Sequence, residues 1–594
     1  MIAALVFLAG IISPPRLMDD VDAVHAQLAR NMIRSHDWVI PKLDGVPYIE
    51  KAPMPYWLIA VSFKVFGDHD WAARIPIALS AILLCWITAM YGCWAFGKRA
   101  GFYAGLVLAT CVGLFLFTRF LIPDVMISLA VCVAFWSFQR AMDEDERHPE
   151  RWAALLAASM AVGVLLKGLI AVVIPLGSLL VYLLITRQLF SRETWRRLRP
   201  ISGFVIFLII AAPWHVLATL RMPPYFNFSL DSGPGQYHGF FWFYFMNEHV
   251  LRFLNLRYPH DYNTVPRAAF WLLNLLWLFP WSIYLPAAVR LDYRPVDRGG
   301  RTRLLALCWI GFLLLFFTFS STQEYYSMPI YAGLALLTGC AMDDAGKWLR
   351  VGTRILAGIS AAALVLIGVV LFSVRNLPAP GDISAALSQH PEAYTLSLGH
   401  LGDLTLSSFA YLRTPLMVAG LAFLVGIAGT LLLRGHRMFL AVAAMMVLFF
   451  HASRLALVTF DPYMSSHKLA QDLLKAPPGK LIVNGSYYPF SSLLYYADSS
   501  ALLLNGRVTN LEYGSYAPGA PDVFIGDTDF SRLWPGAARY YVVSDGADVS
   551  SLRRTASSGT LYLVAESGGK YLFTNNPLGS SQASSSNKSE RALW

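Results

Sequence analysis

The sequence predicts an α-helical polytopic membrane protein with about thirteen transmembrane helices, extracytoplasmic interfacial helices and a small C-terminal α/β domain. Three observations predict it. Of 594 residues, 56% are hydrophobic and 14% charged, against about 25% charged in a soluble domain. Apolar stretches of membrane-crossing length recur through the first 455 residues. From Asp461 onward they give way to short apolar runs of strand length bounded by turn residues.

The spans are read at 1–13, 73–96, 101–118, 122–141, 152–166, 168–187, 201–218, 268–290, 303–320, 325–342, 352–373, 414–434 and 437–455. The first lacks the basic start and small-residue cleavage site of a signal peptide, so it reads as a membrane helix. Its shortness points to a start codon upstream. Lys and Arg gather in the loops 97–100, 140–151, 187–199, 290–303, 343–354 and 434–437, which are therefore cytoplasmic. The segment 14–72, the loops 219–267 and 374–413 and everything after 456 then lie outside. The net charge of +10 belongs to those cytoplasmic loops and to anionic lipid, not to nucleic acid. The six cysteines lie in or beside apolar spans with no CxxC pair, and read as small buried side chains.

The chain divides into a transmembrane domain, 1–455, an extracytoplasmic α/β domain, 456–577, and a disordered Ser-rich tail, 578–594. Within the second, 465–475 reads as a helix, 480–485, 501–506 and 539–545 as buried strands, and 562–573 as a hairpin about Gly568-Gly569. No phosphate-binding GxxxxGK[ST] loop occurs.

Chemistry concentrates in the first outside segment. Ionisable groups cost several kcal/mol near hydrocarbon, so a charged cluster at a membrane mouth marks a site. DDVDAVHAQLARNMIRS has helical spacing, with Val21, Val24, Leu28 and Met32 on one face of an amphipathic interfacial helix. Asp19 is its candidate N-cap. Asp20 and Asp22 exceed what capping needs and are candidate catalytic acids. Beyond a Pro- and Gly-rich path come Tyr48, Glu50 and Lys51, a charged pair in an aromatic wall rather than a surface ion pair.

Four further places carry charge toward the outside. Asp124 starts a helix, as an N-cap or a functional acid. Lys167 sits at an outer turn, as a site residue or one that snorkels. In FYFMNEHVLRFL, His249 and Arg252 share a helical face with Glu248 nearby; an interfacial helix with a wet edge is the plainer reading. In STQEYYSMPIY, Glu324, Tyr325 and Tyr326 line a pocket or anchor the interface, with equal support.

The string R-x-M, D-W-x-x-P, G-x-x-Y-x-E-K-x-P-x-x-Y-W after an acid-rich start resembles the lipid-carrier-dependent glycosyltransferases of the GT-C fold. It is nearest to the ArnT aminoarabinose transferase branch and related to the protein O-mannosyltransferases. The resemblance implies a bacterial inner-membrane enzyme with thirteen spans whose site and C-terminal domain face the periplasm. It implies a sugar donor on a polyprenyl phosphate, held by Lys51, Arg252 and Lys167. Asp20 or Asp22, with Glu50, would act at the reaction centre. Tyr48, Asp124, His249, Tyr325 and Tyr326 would form the substrate pocket. The acceptor implied is lipid A or another envelope glycolipid, with inversion at the sugar. A protein hydroxyl is the alternative, because DDVDAVHA and EKAP depart from the branch's acidic pair with Arg-Tyr-Ala and its EKP. No cofactor is implied with certainty. A divalent metal such as Zn²⁺ has two candidate ligands, Glu50 and His249, too few to make the enzyme metal-dependent. A transporter or polymer ligase is the rival class, disfavoured by charges gathered on one side and by an odd span count.

Overall fold

The computed structural model describes all residues except 12–14, 260–264, 321, 345, 389–398, 557–558 and 579–594. Helix α1 (Ile2–Leu8) leads to α2 (Asp22–Ser35), a two-stranded β1–β2 ribbon (Lys42–Leu43, Val46–Pro47) and α3 (Met54–Phe66). The bundle continues through α4 (Asp70–Phe96), α5 (Lys98–Ala109), α6 (Val112–Phe117), α7 (Asp124–Met142), α8 (Pro149–Lys167), α9 (Ile170–Ile185), α10 (Arg192–Leu198) and α11 (Pro200–Arg221). A loop and the short α12 (Gly239–Phe241) run into a π-helical stretch, Trp242–Leu251. Then follow α13 (Arg267–Trp277), α14 (Leu285–Ala288), α15 (Arg298–Thr318), α16 (Tyr331–Asp343), α17 (Lys347–Ser373), α18 (Arg413–Leu432) and α19 (His436–Met464).

Among the described residues, eight helices are long and apolar enough to cross a membrane, nine if the bent pair 267–277 and 281–288 counts as one. The chain is a multi-pass membrane protein. The other predicted spans are shorter or broken helices, which hydropathy alone reads as continuous. The stretch 101–118 breaks at Thr110-Cys111 between α5 and α6. The stretch 268–290 turns by 96° near Pro280. The stretch 325–342 begins as a 3₁₀ turn, Glu324–Ile330, carrying Pro329. Proline removes a backbone donor and disfavours an uninterrupted helix. The predicted first span is helical over Ile2–Leu8, and residues 12–13 lie outside the described residues.

The C-terminal strands arise where short apolar runs predict them. They are β3 (Lys480–Asn484), β4 (Ala501–Leu504), β5 (Phe524–Ile525), β6 (Tyr540–Asp545), β7 (Tyr562–Ser567) and β8 (Lys570–Thr574). They form one sheet in the order β5-β4-β3-β6-β8-β7. The first four are parallel, with Leu481 paired to Ala501 and Tyr541. The last two form the expected hairpin, antiparallel to β6. Parallel strands covered on both faces need continuous apolar runs, and Leu481, Ile482, Val483, Val542 and Val543 are buried. Helix α20 (His467–Lys475) precedes the sheet. Nearly all of the predicted Ser-rich tail lies outside the described residues.

Helix α2 joins the two parts and corrects two expectations. Its face of Val24, Leu28 and Met32 is buried as predicted, each such side chain contributing about 1.5–3 kcal/mol. Its polar face is covered too. Tyr487 donates to Gln27 at 2.6 Å, Arg30 donates to the Tyr495 carbonyl at 2.9 Å, and Arg34 pairs with Asp498. The helix is therefore a middle layer, not one lying open at an interface. Asp19 is not its N-cap: that position is Val21, without a side-chain bond. The Asp19 carboxylate accepts from the Ser492 N–H at 2.7 Å, the Ser466 hydroxyl at 2.8 Å and the Lys570 ammonium at 2.7 Å. Three donors from the C-terminal region outcompete a helix end.

Candidate active site

A cavity of about 410 Å³ opens where α7, α8 and α9 meet the π-helical stretch and the segment after α15. Its polar end carries Glu50, Lys51, Asp124, Lys167, Glu248 and Arg252, and its apolar walls include Ile170, Val173, Ile174, Phe253, Phe316 and Phe317. A trough of hydrocarbon-compatible side chains thus ends in three cations and three carboxylates.

Local structure sets each of these. The turn after the β1–β2 ribbon brings Glu50 and Lys51 to the rim just before α3. Lys51 donates to Glu50 at 2.5 Å, and the Tyr48 hydroxyl donates to the other Glu50 oxygen at 3.2 Å. Asp124 is in the first turn of α7 and Lys167 in the last turn of α8, where the helix dipole favours each sign of charge. The two form an ion pair. The Lys167 ammonium also lies over the rings of Tyr326 at 4.5 Å and Tyr325 at 5.2 Å. Those tyrosines belong to the 3₁₀ turn after α15, and Tyr326 lines the cavity.

The π-helical stretch supplies the opposite wall; π-helical turns occur frequently at functional sites. Arg252 donates to Glu248 at 2.9 Å and to the Tyr326 hydroxyl at 3.2 Å. Arg257, five residues on, donates to the other Glu248 oxygen at 2.6 Å, lies 3.9 Å from Glu50, and donates to Asn510 at 2.8 Å. With Arg257 behind the cavity wall, four cations therefore face three carboxylates. Burial alone would raise the Glu50 carboxyl, but Lys51, Arg257 and Arg252 outweigh it and hold it at about 2. Glu50 is ionised throughout the physiological range.

His249 has a different job from the one its chemistry suggests. Its Nε2 accepts from the Leu169 N–H at 3.0 Å. The proton therefore sits on Nδ1, which lies 2.5 Å from the Tyr244 carbonyl and donates to it. Both nitrogens serve the backbone, and burial lowers the ring to about 4. A neutral ring bound on both sides has no lone pair for a metal in this arrangement, so Glu50 and His249 do not form a metal site here. Among the described residues there is no group of three or more His, Cys, Asp or Glu that could hold a metal ion. His249 instead clamps the turn after Lys167. Gly168, at φ +91°, is required there, because a Cβ would strike the imidazole.

The two first-loop acids part company, and neither lines the cavity. Asp20, at φ +69°, is exposed. Its backbone N–H donates to the Tyr488 carbonyl and the Ser491 hydroxyl of the C-terminal region. Asp22 is fully buried in the first turn of α2. One oxygen accepts from the Leu121 N–H at 2.8 Å; the other has no hydrogen bond and lies 3.7 Å from Arg74. Burial raises its pKa. Two groups went unnoticed in the sequence. Arg257 follows the E-H-x-x-R string at a spacing no helix face explains. His25, buried one turn beyond Asp22, has its ring centroid 5.4 Å from that of Tyr56 and its Nδ1 without a partner. Its i, i+3 relation to Asp22 was the available signal.

The chain is similar to known proteins in three comparisons. A family model described as dolichyl-phosphate-mannose-protein mannosyltransferase matches residues 50–216. An undecaprenyl phosphate-alpha-4-amino-4-deoxy-L-arabinose arabinosyl transferase of Aeromonas salmonicida is 29% identical over 54% of this chain and 55% of its own length. The corresponding Pectobacterium carotovorum protein is 27% identical over 60% of this chain and 62% of its own length. The chain thus spans little more than half the length of the curated relatives it matches. A crystal structure of ArnT from Cupriavidus metallidurans bound to undecaprenyl phosphate superposes with a TM-score of 0.77 at 22% identity, over 97% of each chain. Its apo form gives 0.76. At that identity the likeness establishes the fold.

Proposed function

We propose that this chain, which has the GT-C fold of the ArnT-like lipid-carrier glycosyltransferases, moves a sugar from a polyprenyl phosphate to an extracytoplasmic acceptor. One observation carries the reading: an apolar trough that ends in Lys51, Lys167 and Arg252. A long isoprenoid fits the trough and its phosphate meets the cations. The acceptor is lipid A or another envelope glycolipid, and the enzyme works in a bacterial inner membrane. The shorter apolar helices complete thirteen spans. The site and the α/β domain, 456–577, face the periplasm above a transmembrane domain, 1–455.

In the reaction the bond between the sugar's anomeric carbon and the carrier phosphate oxygen breaks. The acceptor oxygen attacks from the opposite face, so a single displacement inverts that carbon. Negative charge grows on the leaving phosphate. Lys51 and Arg252 meet it with preorganised donors, Arg252 through its fork, and Lys167 adds a third charge. Each rests on a carboxylate, so Glu50, Glu248 and Asp124 hold their cations in place and release them to the phosphate. Tyr48 holds Glu50 at the reaction centre. Tyr325 and Tyr326 line the sugar pocket, and His249 positions Lys167. Asp22 lies outside the cavity lining and acts through position: its bond to the Leu121 N–H holds the turn into α7 that presents Asp124. A phosphate on the acceptor lipid is already ionised and needs no base. Asp20 belongs to the seam with the C-terminal region.

The test uses purified protein in lipid with undecaprenyl-phosphate-linked sugars and either lipid A or peptide acceptors. Released carrier phosphate and labelled sugar are followed together. Wild type transfers to lipid, Lys51→Ala loses transfer, and Asp20→Asn keeps it. Transfer by Lys51→Ala at the wild-type rate sinks the reading. Label on peptide alone replaces the acceptor with a protein. An alkaline phosphatase fusion after residue 577 is active if the C-terminal region is periplasmic.

A further inference from the structure

A second cationic site lies away from the cavity just described and shares no lining residue with it. Arg74 from the start of α4, Arg119 from the turn between α6 and α7, and Arg454 from α19 converge on a small gap flanked by Phe7, Ile11 and Leu457. Among the described residues no carboxylate lines it. Two acids lie beside it: Asp22, which accepts from the Leu121 N–H through one oxygen and pairs with Arg74 at 3.7 Å through the other, and Asp461, which accepts from the Arg16 N–H at 2.6 Å. Arg74 is pinned by two backbone carbonyls, those of Pro15 and Arg16, each at 2.8 Å. Its ion pair with Asp22 at 3.7 Å is a further tether, which leaves Arg119 as the member without an acid.

Arg119 is the informative member. Its guanidinium sits 4.7 Å over the Phe115 ring, and its Nε is buried without a hydrogen-bond partner. Burial, Arg74 and Arg454 all push it down, to about 10, and no acid pushes back. Like charges brought together in a poorly solvated place repel, and an unpaired buried donor costs about 1–3 kcal/mol. The fold maintains the arrangement: Gly10, at φ +102°, leaves the room that Arg454 fills, and a Cβ there would collide with it.

We infer that Arg74, Arg119 and Arg454 form a binding site for the phosphate of a membrane lipid headgroup, separate from the Lys51 cavity. Guanidinium forks match phosphate oxygens. The gap itself is about 20 Å³, room for a water, so the phosphate seats at its mouth with Arg119 turned onto it. The flanking Phe7, Ile11 and Leu457 supply the apolar side that a lipid requires and a free anion does not. The site lies at the end of the bundle that carries the C-terminal sheet, because Arg16 joins α4's Asp70 to α19's Asp461 there.

The test is a titration of full-length protein in neutral detergent with short-chain phosphatidic acid, read by native mass spectrometry. Diacylglycerol and inorganic phosphate serve as separate probes. Wild type binds two phosphatidic acid molecules, one at each site. Lys51→Ala loses one and Arg119→Gln the other, its affinity falling by at least about tenfold for the lost charge-assisted bonds. Arg119→Lys restores part of it. Full binding of both molecules by Arg119→Gln overturns the proposal. Folding of that variant is not needed for the decision. In Lys51→Ala alone, phosphatidic acid still raises the thermal midpoint while diacylglycerol does not; absence of that rise also overturns it. An equal rise with inorganic phosphate would assign the site to the free ion instead of a lipid. Loss of sugar transfer with this binding intact counts against the proposed reaction only.

Discussion

Two lysines, each paired with a carboxylate in a buried setting, do different work. Lys570 donates to Asp19 at 2.7 Å, to the Pro489 carbonyl at 2.6 Å and to the Ser466 hydroxyl at 3.3 Å. All three of its protons are used. Lys51 bonds Glu50 at 2.5 Å and faces the cavity with donors to spare. An ammonium has three donors, so saturation marks a structural joint and incompleteness marks a place kept ready for a ligand.

The sharpest way to break this comparison is to remove each lysine. Lys570→Ala leaves Asp19 buried and uncompensated, and should cost about 3–5 kcal/mol of stability. Folded protein should then transfer sugar at close to the wild-type rate. Lys51→Ala should do the reverse, lowering transfer by about 10²–10³-fold with little change in the thermal midpoint, because Arg257 and Tyr48 still face Glu50. Thermal unfolding and turnover on both variants decide it; matching losses in both assays would erase the distinction.

Acid should strike the cavity side next. His25 and His249 are held neutral by burial, each near about 4 against an ordinary 6.5. The unfolded chain binds more protons between those values, so stability is full above 6.5 and falls as pH drops toward 4. Each ring contributes up to about 3 kcal/mol over that window. Glu50 does the opposite of limiting the range: its stabilising effect is present above its unfolded value of 4.5 and is lost only as pH falls toward about 2. Thermal midpoints taken between pH 7 and 4.5 for wild type and His25→Gln check this, and an unchanged slope in the variant rejects the assignment.

Arg257→Gln tests whether the seam and the cavity communicate. It cuts Glu248 and Glu50 from Asn510, and should lower transfer by about tenfold, the worth of one charged hydrogen bond. The smallest effect belongs to Tyr326→Phe. Losing its hydroxyl contact with Arg252 should cost about 1 kcal/mol, near fivefold in the donor's KM.

Much of this was legible from the chain. Glu50-Lys51, Lys167 and the Glu248–Arg252 string stand out because charge is expensive in apolar surroundings. Their convergence on one cavity follows from helix ends that share one side of the bundle. The C-terminal strands were legible because continuous apolar runs bounded by turns have few other uses. Span lengths were less so, since hydropathy does not register the break at Thr110-Cys111 or the 96° bend by Pro280. Asp20 and Asp22 could not be separated in sequence. The positive φ at Asp20 turns neighbouring acids toward different partners, one to the seam and one to Leu121. Asp19 and Lys570 are 551 residues apart, and no local pattern joins them.

The bond from Arg257 to Asn510 has a consequence for how the molecule comes into being. A chain is made from its N-terminus, so the cavity's walls are synthesised and inserted well before Asn510 and Lys570 exist. The anchors that hold Arg257 and Asp19 arrive only after those walls. A chain that stops before them therefore has the trough and the cations without their final alignment, and competence waits on the region that carries Asn510 and Lys570.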